Sequence, residues 1–296
     1  MPLRPWSRTF PVAVPVLLLV AAMLLFQSGA AIAKTLIPLI GATGMAALRA
    51  GFGSFLLAVY WRPWRARGFA GGIWPLLVYG GSMGVMNLLF YESLQRLPLG
   101  IAVAIEFTGP LAVAVASSHR AIDFLWVGLA ALGLLAVLPL GWSADHLDPA
   151  GLAYGFGAGA CWAIYIVYGK RVGAHFGGVS TALGMLIGAG VLVPIGLATE
   201  GTRLFMPAIL PAALAVAVLS SALPYSLEMF ALTRLPTRTF GVLMSLDPAL
   251  GALAGLAFLG EHLTTVQWLA VCSIIAASAG SAAAARADVA AAPLLE

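Results

Sequence analysis

Residues 96–114 read RLPLGIAVAIEFTGPLAVA, and residues 234–252 read RLPTRTFGVLMSLDPALGA. Both begin Arg-Leu-Pro, and in both a second proline follows the first by twelve residues, Pro98 to Pro110 and Pro236 to Pro248. Each stretch also carries one acid in an otherwise apolar run, Glu106 in the first and Asp247 in the second. The offset between the copies is 138 residues, and Ser82 with Ser220, and Asp123 with Glu261, keep it. Lys34 and Lys170 stand at a slightly shorter offset, which a small indel accommodates. The chain is thus two copies of one plan, each with a carboxyl group beside a proline deep in apolar sequence.

The composition fixes the solvent for that plan. The chain has 61% hydrophobic and 9% charged residues and a mean hydropathy of +1.01, against roughly 25% charged residues in a soluble domain. Such a sequence cannot cover a core in water and reads as polytopic. Apolar windows of about 20 residues, the length needed to span a bilayer, predict all-α spans near 12–33, 42–60, 74–94, 99–117 and 122–141 in the first half. The second half follows with 150–169, 178–199, 208–231, 239–259 and 265–285. Five spans per copy is an odd number, so the second copy (147–296) enters the membrane inverted relative to the first (1–146). That is the plan of many secondary transporters, with a site at the repeat interface.

The net charge of +4 marks orientation, not nucleic-acid binding, because the basic residues are scattered between apolar runs. With the N-terminus inside, eleven Lys and Arg fall in inner connections, three (Lys34, Arg96 and Arg203) fall outside, and Arg49 alone falls within a span. This bias predicts cytoplasmic termini and an even number of spans. The first apolar run, preceded by Arg4 and Arg8 and ending Ala31-Ile32-Ala33, also resembles a cleaved leader. Its extent, 12–33, exceeds the usual 7–15 apolar residues, and it has a counterpart in the second copy, so a retained helix is expected. Cys161 and Cys272 each sit in apolar runs, and the four histidines fall in connections or at span ends without metal-ligand spacing, so neither disulfide nor metal is expected. No cofactor motif is present: Gly169-Lys170-Arg171 lacks the glycines and Ser/Thr of a phosphate loop.

The strings GIAVAIEFTGPLAVA (100–114), LPYSLEMFALTRLPTRTFG (223–241) and FLGEHLT (258–264) resemble the EamA branch of the drug/metabolite transporter superfamily. Within it the chain is most similar to the inner-membrane exporters of threonine and homoserine, from about residue 10 to residue 285. The resemblance implies ten helices, a central cavity between two five-helix halves and efflux driven by the proton gradient. The first half departs from the motif, with Ala121-Ile122-Asp123 where the ninth span ends Leu-Gly-Glu. The runner-up is an exporter of other small metabolites or cationic drugs, which the buried acids suit equally.

A charge inside a span costs about 2.5–3.5 kcal/mol at the helix centre on insertion scales, so Arg49, Glu92, Glu106, Glu228 and Asp247 each need a partner, water or a function. Glu106 and Asp247 lie at mid-span. Pro110 frees the carbonyl of Glu106 and Pro248 that of Met244, and an acid beside an interrupted helix suits an ion or substrate site. Glu106 is the leading candidate for carrying a proton or holding an ammonium, and Asp247 the second. The competing reading is a carboxyl locked to backbone or to Ser245. Arg49 either takes a substrate carboxylate or, the favoured expectation, pairs with one of the acids. Asn87 and Tyr91 share one helical face at i, i+4, Tyr225 occupies the repeat position of Asn87, and Tyr225 and Glu228 share a face. These line a cavity or make helix-to-helix hydrogen bonds. Glu92 and Arg96 are expected to form an interfacial ion pair, and Tyr165 and Tyr168 to be interface aromatics. Gly80/Gly84, Gly151/Gly155, Gly184/Gly188 and Gly251/Gly255 are expected to let helices approach closely. An enzyme is disfavoured, since no histidine lies deep in a span to activate a serine.

Overall fold

A computed structural model describes residues 13–65, 72–116, 147–232 and 243–291, with residues 125–126, 128–129, 132–133, 234–235 and 240 between them. The expected fifth span, with Asp123, lies largely outside the described residues. The described residues are helical, with no strand among them. The helices are α1 (Ala13–Trp61), α2 (Trp74–Arg96), α3 (Leu99–Glu106), α4 (Thr108–Ala116), α5 (Pro149–Phe176) and α6 (Val179–Glu200). They continue with α7 (Leu210–Ala217), α8 (Leu223–Leu232), α9 (Asp247–Leu259) and α10 (Thr265–Ala291). Among the described residues, four segments, Ala13–Trp61, Pro149–Phe176, Val179–Phe205 and Leu210–Glu228, are long and apolar enough to cross a membrane.

Helix α1 is two arms. Gly41 takes φ 69° and ψ 163°, a backbone state open to glycine and costly for any other residue, and the chain reverses there. The expected end of the first span at residue 33 is corrected: the first arm continues through Lys34 to residue 40. Lys34 stays helical because its ammonium finds partners beside the arm, as described below. Two later interruptions follow the prolines. The span 99–116 breaks at Phe107, between α3 and α4, just before Pro110; α9 starts at Asp247 after a turn at Ser245 and Leu246, with Pro248 in its first turn.

Small residues set the packing. A Cβ on Gly84 would lie 2.8 Å from the Cα of Gly188, so α2 and α6 cross with their backbones nearly touching, as the glycine spacing predicts. Farther along the chain, a Cβ on Gly251 would lie 3.1 Å from Val103, which presses α9 onto α3. Between lipid and protein interior there is little hydrophobic driving force, so close approach of this kind carries the association. The outer surface is correspondingly apolar: Leu17, Phe55 and Leu269 are more than 60% exposed.

Polar contacts gather at one end of the bundle. Thr43 donates to Glu92 (3.3 Å), Glu92 pairs with Arg96 (2.6 Å), and Arg96 approaches Asp148 at 3.6 Å. The next residue, Leu97, offers its carbonyl to Lys34, which also pairs with Glu261 at 2.6 Å. The other oxygen of Glu261 accepts from the Leu99 amide at 2.7 Å. The expected Glu92–Arg96 pair is present, and Glu261, from the loop after α9, ties that loop to α1 and to the Arg96-Leu97-Pro98 turn.

Candidate functional site

Beneath that end lies a cavity between the arms of α1, α2, α3, α5, α8 and the start of α9. Arg49, Asn87, Tyr91, Glu106, Tyr225, Glu228 and Asp247, all seven residues singled out in the sequence, face it. The helix breaks explain how two acids reach it. Glu106 is the last residue of α3 and Asp247 the first of α9, so each carboxyl leaves a helix end. The break after Glu106 is accommodated by α5, where Gly159 lies so close that a Cβ on it would sit 2.8 Å from the Glu106 carbonyl oxygen.

Arg49, 4% exposed, is held by neutral groups. Its Nε donates to Ser220 Oγ at 2.9 Å and its Nη2 to the Ser220 carbonyl at 2.5 Å, while Nη1 donates to Asn87 Oδ1. Phe26 and Tyr91 present ring faces at 5.6 and 6.0 Å. The expected pairing with an acid is therefore corrected, and the reason lies in Pro224. A proline has no amide to give the carbonyl four residues earlier, so the Ser220 carbonyl is free, within a π-helical turn at Val218–Ala222, to accept from the guanidinium. Asn87 completes the seat by donating its own amide to the Met83 carbonyl at 2.7 Å.

The acids contrast with Arg49. Among the described residues, neither Glu106 nor Glu228 accepts a hydrogen bond, and Asp247 Oδ1 is buried without a partner. Glu106 is therefore not locked to backbone or to Ser245. Arg49 offers five N–H donors, of which these bonds use three, and the Tyr225 hydroxyl lies within reach of the guanidinium. One side of the cavity thus carries a cation and the other three carboxyl groups, two of which accept no hydrogen bond among the described residues. Both ends of a zwitterion find their complement there.

Sequence reasoning missed Gln27, Phe26, Trp162 and Ser220, which also face the cavity. Pro224 was the available signal for Ser220; neutral Gln27 and the aromatics leave no charge to count. The expectation for Tyr165 is corrected too. It faces the cavity and stacks on Tyr79, ring centroids 4.9 Å apart, because the glycines of α2 and α6 bring Tyr79 in close. No group of residues that could hold a metal occurs among the described residues.

The model of the EamA-like transporter family matches residues 149–282. The threonine/homoserine exporter RhtA of Salmonella typhimurium strain LT2 is 58% identical over 275 residues, 93% of each chain. RhtA of Escherichia coli strain K12 is 56% identical over 274 residues, again 93% of each. A crystallographically solved chain of 18% identity superposes with a TM-score of 0.62 over 93% of this chain and 99% of its own, a likeness of fold.

Proposed function

The chain belongs to the EamA-like transporter family, a membrane transporter and not an enzyme, and from that premise we propose that it exports small amino acids of the threonine and homoserine class in exchange for protons. The observation that carries this reading is the cavity in which the Arg49 guanidinium stands opposite the Glu106 and Glu228 carboxyl groups, which accept no hydrogen bond among the described residues, and Asp247, which has an unpaired oxygen. The identity to exporters of those two amino acids over 93% of the chain supports the substrate class.

The chemistry makes exchange natural. Unpartnered buried carboxylates are costly unless a cation neutralises them, and either a proton or an ammonium will do. Glu106 is the principal such group, with Asp247 and Glu228 beside it. A proton on Glu106 removes the charge that holds the ammonium, so loading one cargo releases the other. The guanidinium of Arg49 takes the substrate carboxylate, and Asn87, Tyr91 and Tyr225 shape the space between. In this reading the chain is ten spans in two inverted halves, 1–146 and 147–296, in a bacterial inner membrane with both termini cytoplasmic. The polar end that holds Lys34 and Glu261 then faces outward, and the halves rock to expose the cavity alternately.

The test is efflux of labelled threonine and homoserine from liposomes holding the purified protein, with and without an imposed pH gradient. Gradient-accelerated efflux that Glu106→Gln abolishes is expected. Efflux indifferent to pH would remove proton coupling. Displacement by a quaternary ammonium dye with no threonine movement would replace the amino acid with a cationic drug.

A further inference from the structure

Gln27 lies on the first arm of α1, is 4% exposed and faces the cavity, and its Oε1 is buried with no hydrogen-bond partner. Its amide lies within hydrogen-bonding reach of Asp247, whose Oδ1 is the other buried acceptor there without a partner. A buried acceptor left unpaired costs about 1–3 kcal/mol, and a native structure that keeps one calls for an explanation. Space is kept for this amide: a Cβ on Gly251 would stand 3.3 Å from Gln27 Oε1, so a bulkier residue on α9 would crowd it. Beside it Phe26 meets Tyr225 edge to face, ring centroids 5.4 Å apart. The amide is therefore a polar group set into an aromatic wall.

What would complete it follows from the division of charge. An ammonium is best served by the carboxyl groups of Glu106, Glu228 and Asp247, and a carboxylate by Arg49. Gln27 is neutral, with one acceptor oxygen and two amide donors, and a hydroxyl, at once donor and acceptor, is its neutral complement. We propose that Gln27 is a specificity-determining residue that binds the side-chain hydroxyl of the exported amino acid and so selects hydroxylated substrates over aliphatic ones. The assignment rests on the amino-acid export reading. A site built to bond a hydroxyl rejects the analogue without one, because its own polar group is then left buried and unpaired.

The test is competition in liposomes of the full chain, with labelled threonine against valine, which puts a methyl in place of the hydroxyl, and labelled homoserine against norvaline. Wild type is expected to prefer the hydroxylated member by roughly 10- to 100-fold, the value of one such unpaired group. Gln27→Met is expected to bring each ratio to within about threefold of unity, by losing threonine and gaining valine. Gln27→Glu, which keeps an acceptor in place, is expected to retain the preference, and it serves as the readout if the methionine variant does not fold. A Gln27→Met protein with the wild-type ratio, or a Gln27→Glu protein without any preference, overturns the assignment while leaving export intact. Wild type that moves none of these amino acids overturns the export reading and this one with it.

Discussion

The charged groups at the polar end and those in the cavity follow opposite rules. At the end, Lys34, Glu92, Arg96 and Glu261 all have partners within the protein, and Glu261 uses both carboxyl oxygens on neighbouring helices. In the cavity, Glu106 and Glu228 have none among the described residues, and Asp247 has an orphaned oxygen. In the proposed reading, the difference separates charges that hold the helices together from charges kept ready for substrate or proton. Neutralising the first kind should cost stability, and neutralising the second should cost transport while sparing the fold.

Arg49 tests the boundary, since it faces the cavity yet is partnered like the end residues. Arg49→Leu would orphan the Ser220 carbonyl and Asn87 Oδ1, at about 1–3 kcal/mol each, so loss of both folded protein and transport is expected, read by melting in detergent and by efflux. Arg49→Lys should recover part of the stability and little transport, because a point charge cannot replace the fork. Next in size, Glu106→Gln should lower substrate affinity by about 10- to 100-fold, the value of a lost charged hydrogen bond. Its melting temperature should match or exceed that of wild type, since a neutral amide is cheaper to bury. A melting temperature lowered by several degrees would show that Glu106 has a structural partner and would break the comparison.

Glu261→Gln should do the reverse, with about 1 kcal/mol of stability lost with the Lys34 pair and substrate affinity unchanged in a binding titration. The smallest effect is expected of Pro224→Ala. It restores an amide that competes with Arg49 for the Ser220 carbonyl, so the stability change should stay within about 1 kcal/mol while KM rises as the guanidinium shifts.

The candidate site was legible where burial is costly. Arg49, Glu106, Glu228 and Asp247 stand out because a charge in an apolar run requires a reason, and the flanking prolines located the breaks that turn Glu106 and Asp247 inward. Neutral Gln27 carries no such signal, since an amide in a span is cheap enough to pass as packing. The partner of Arg49 was misread because a census of charges does not count backbone carbonyls, although Pro224 marks the free one. The end of the first arm was missed for a related reason: hydropathy stops at Lys34, whereas the helix stops at Gly41, and the contacts to Leu97 and Glu261 that keep Lys34 helical come from residues far along the chain.

The seat of Arg49 also bears on how the protein reaches its membrane. Asn87 lies 38 residues beyond Arg49 and Ser220 lies 171 beyond it, so while the chain is being synthesised the guanidinium enters the bilayer long before its partners exist. The second arm of α1 must wait, lodged beside the insertion machinery or half withdrawn toward the aqueous side, until α2 and then the turn at Val218–Ala222 arrive. Nascent chains ending at residue 61, 96 or 232 should accordingly show stepwise rising insertion of that arm in a glycosylation-mapping assay, and full insertion at residue 61 would mean that lipid and water alone suffice to settle the charge.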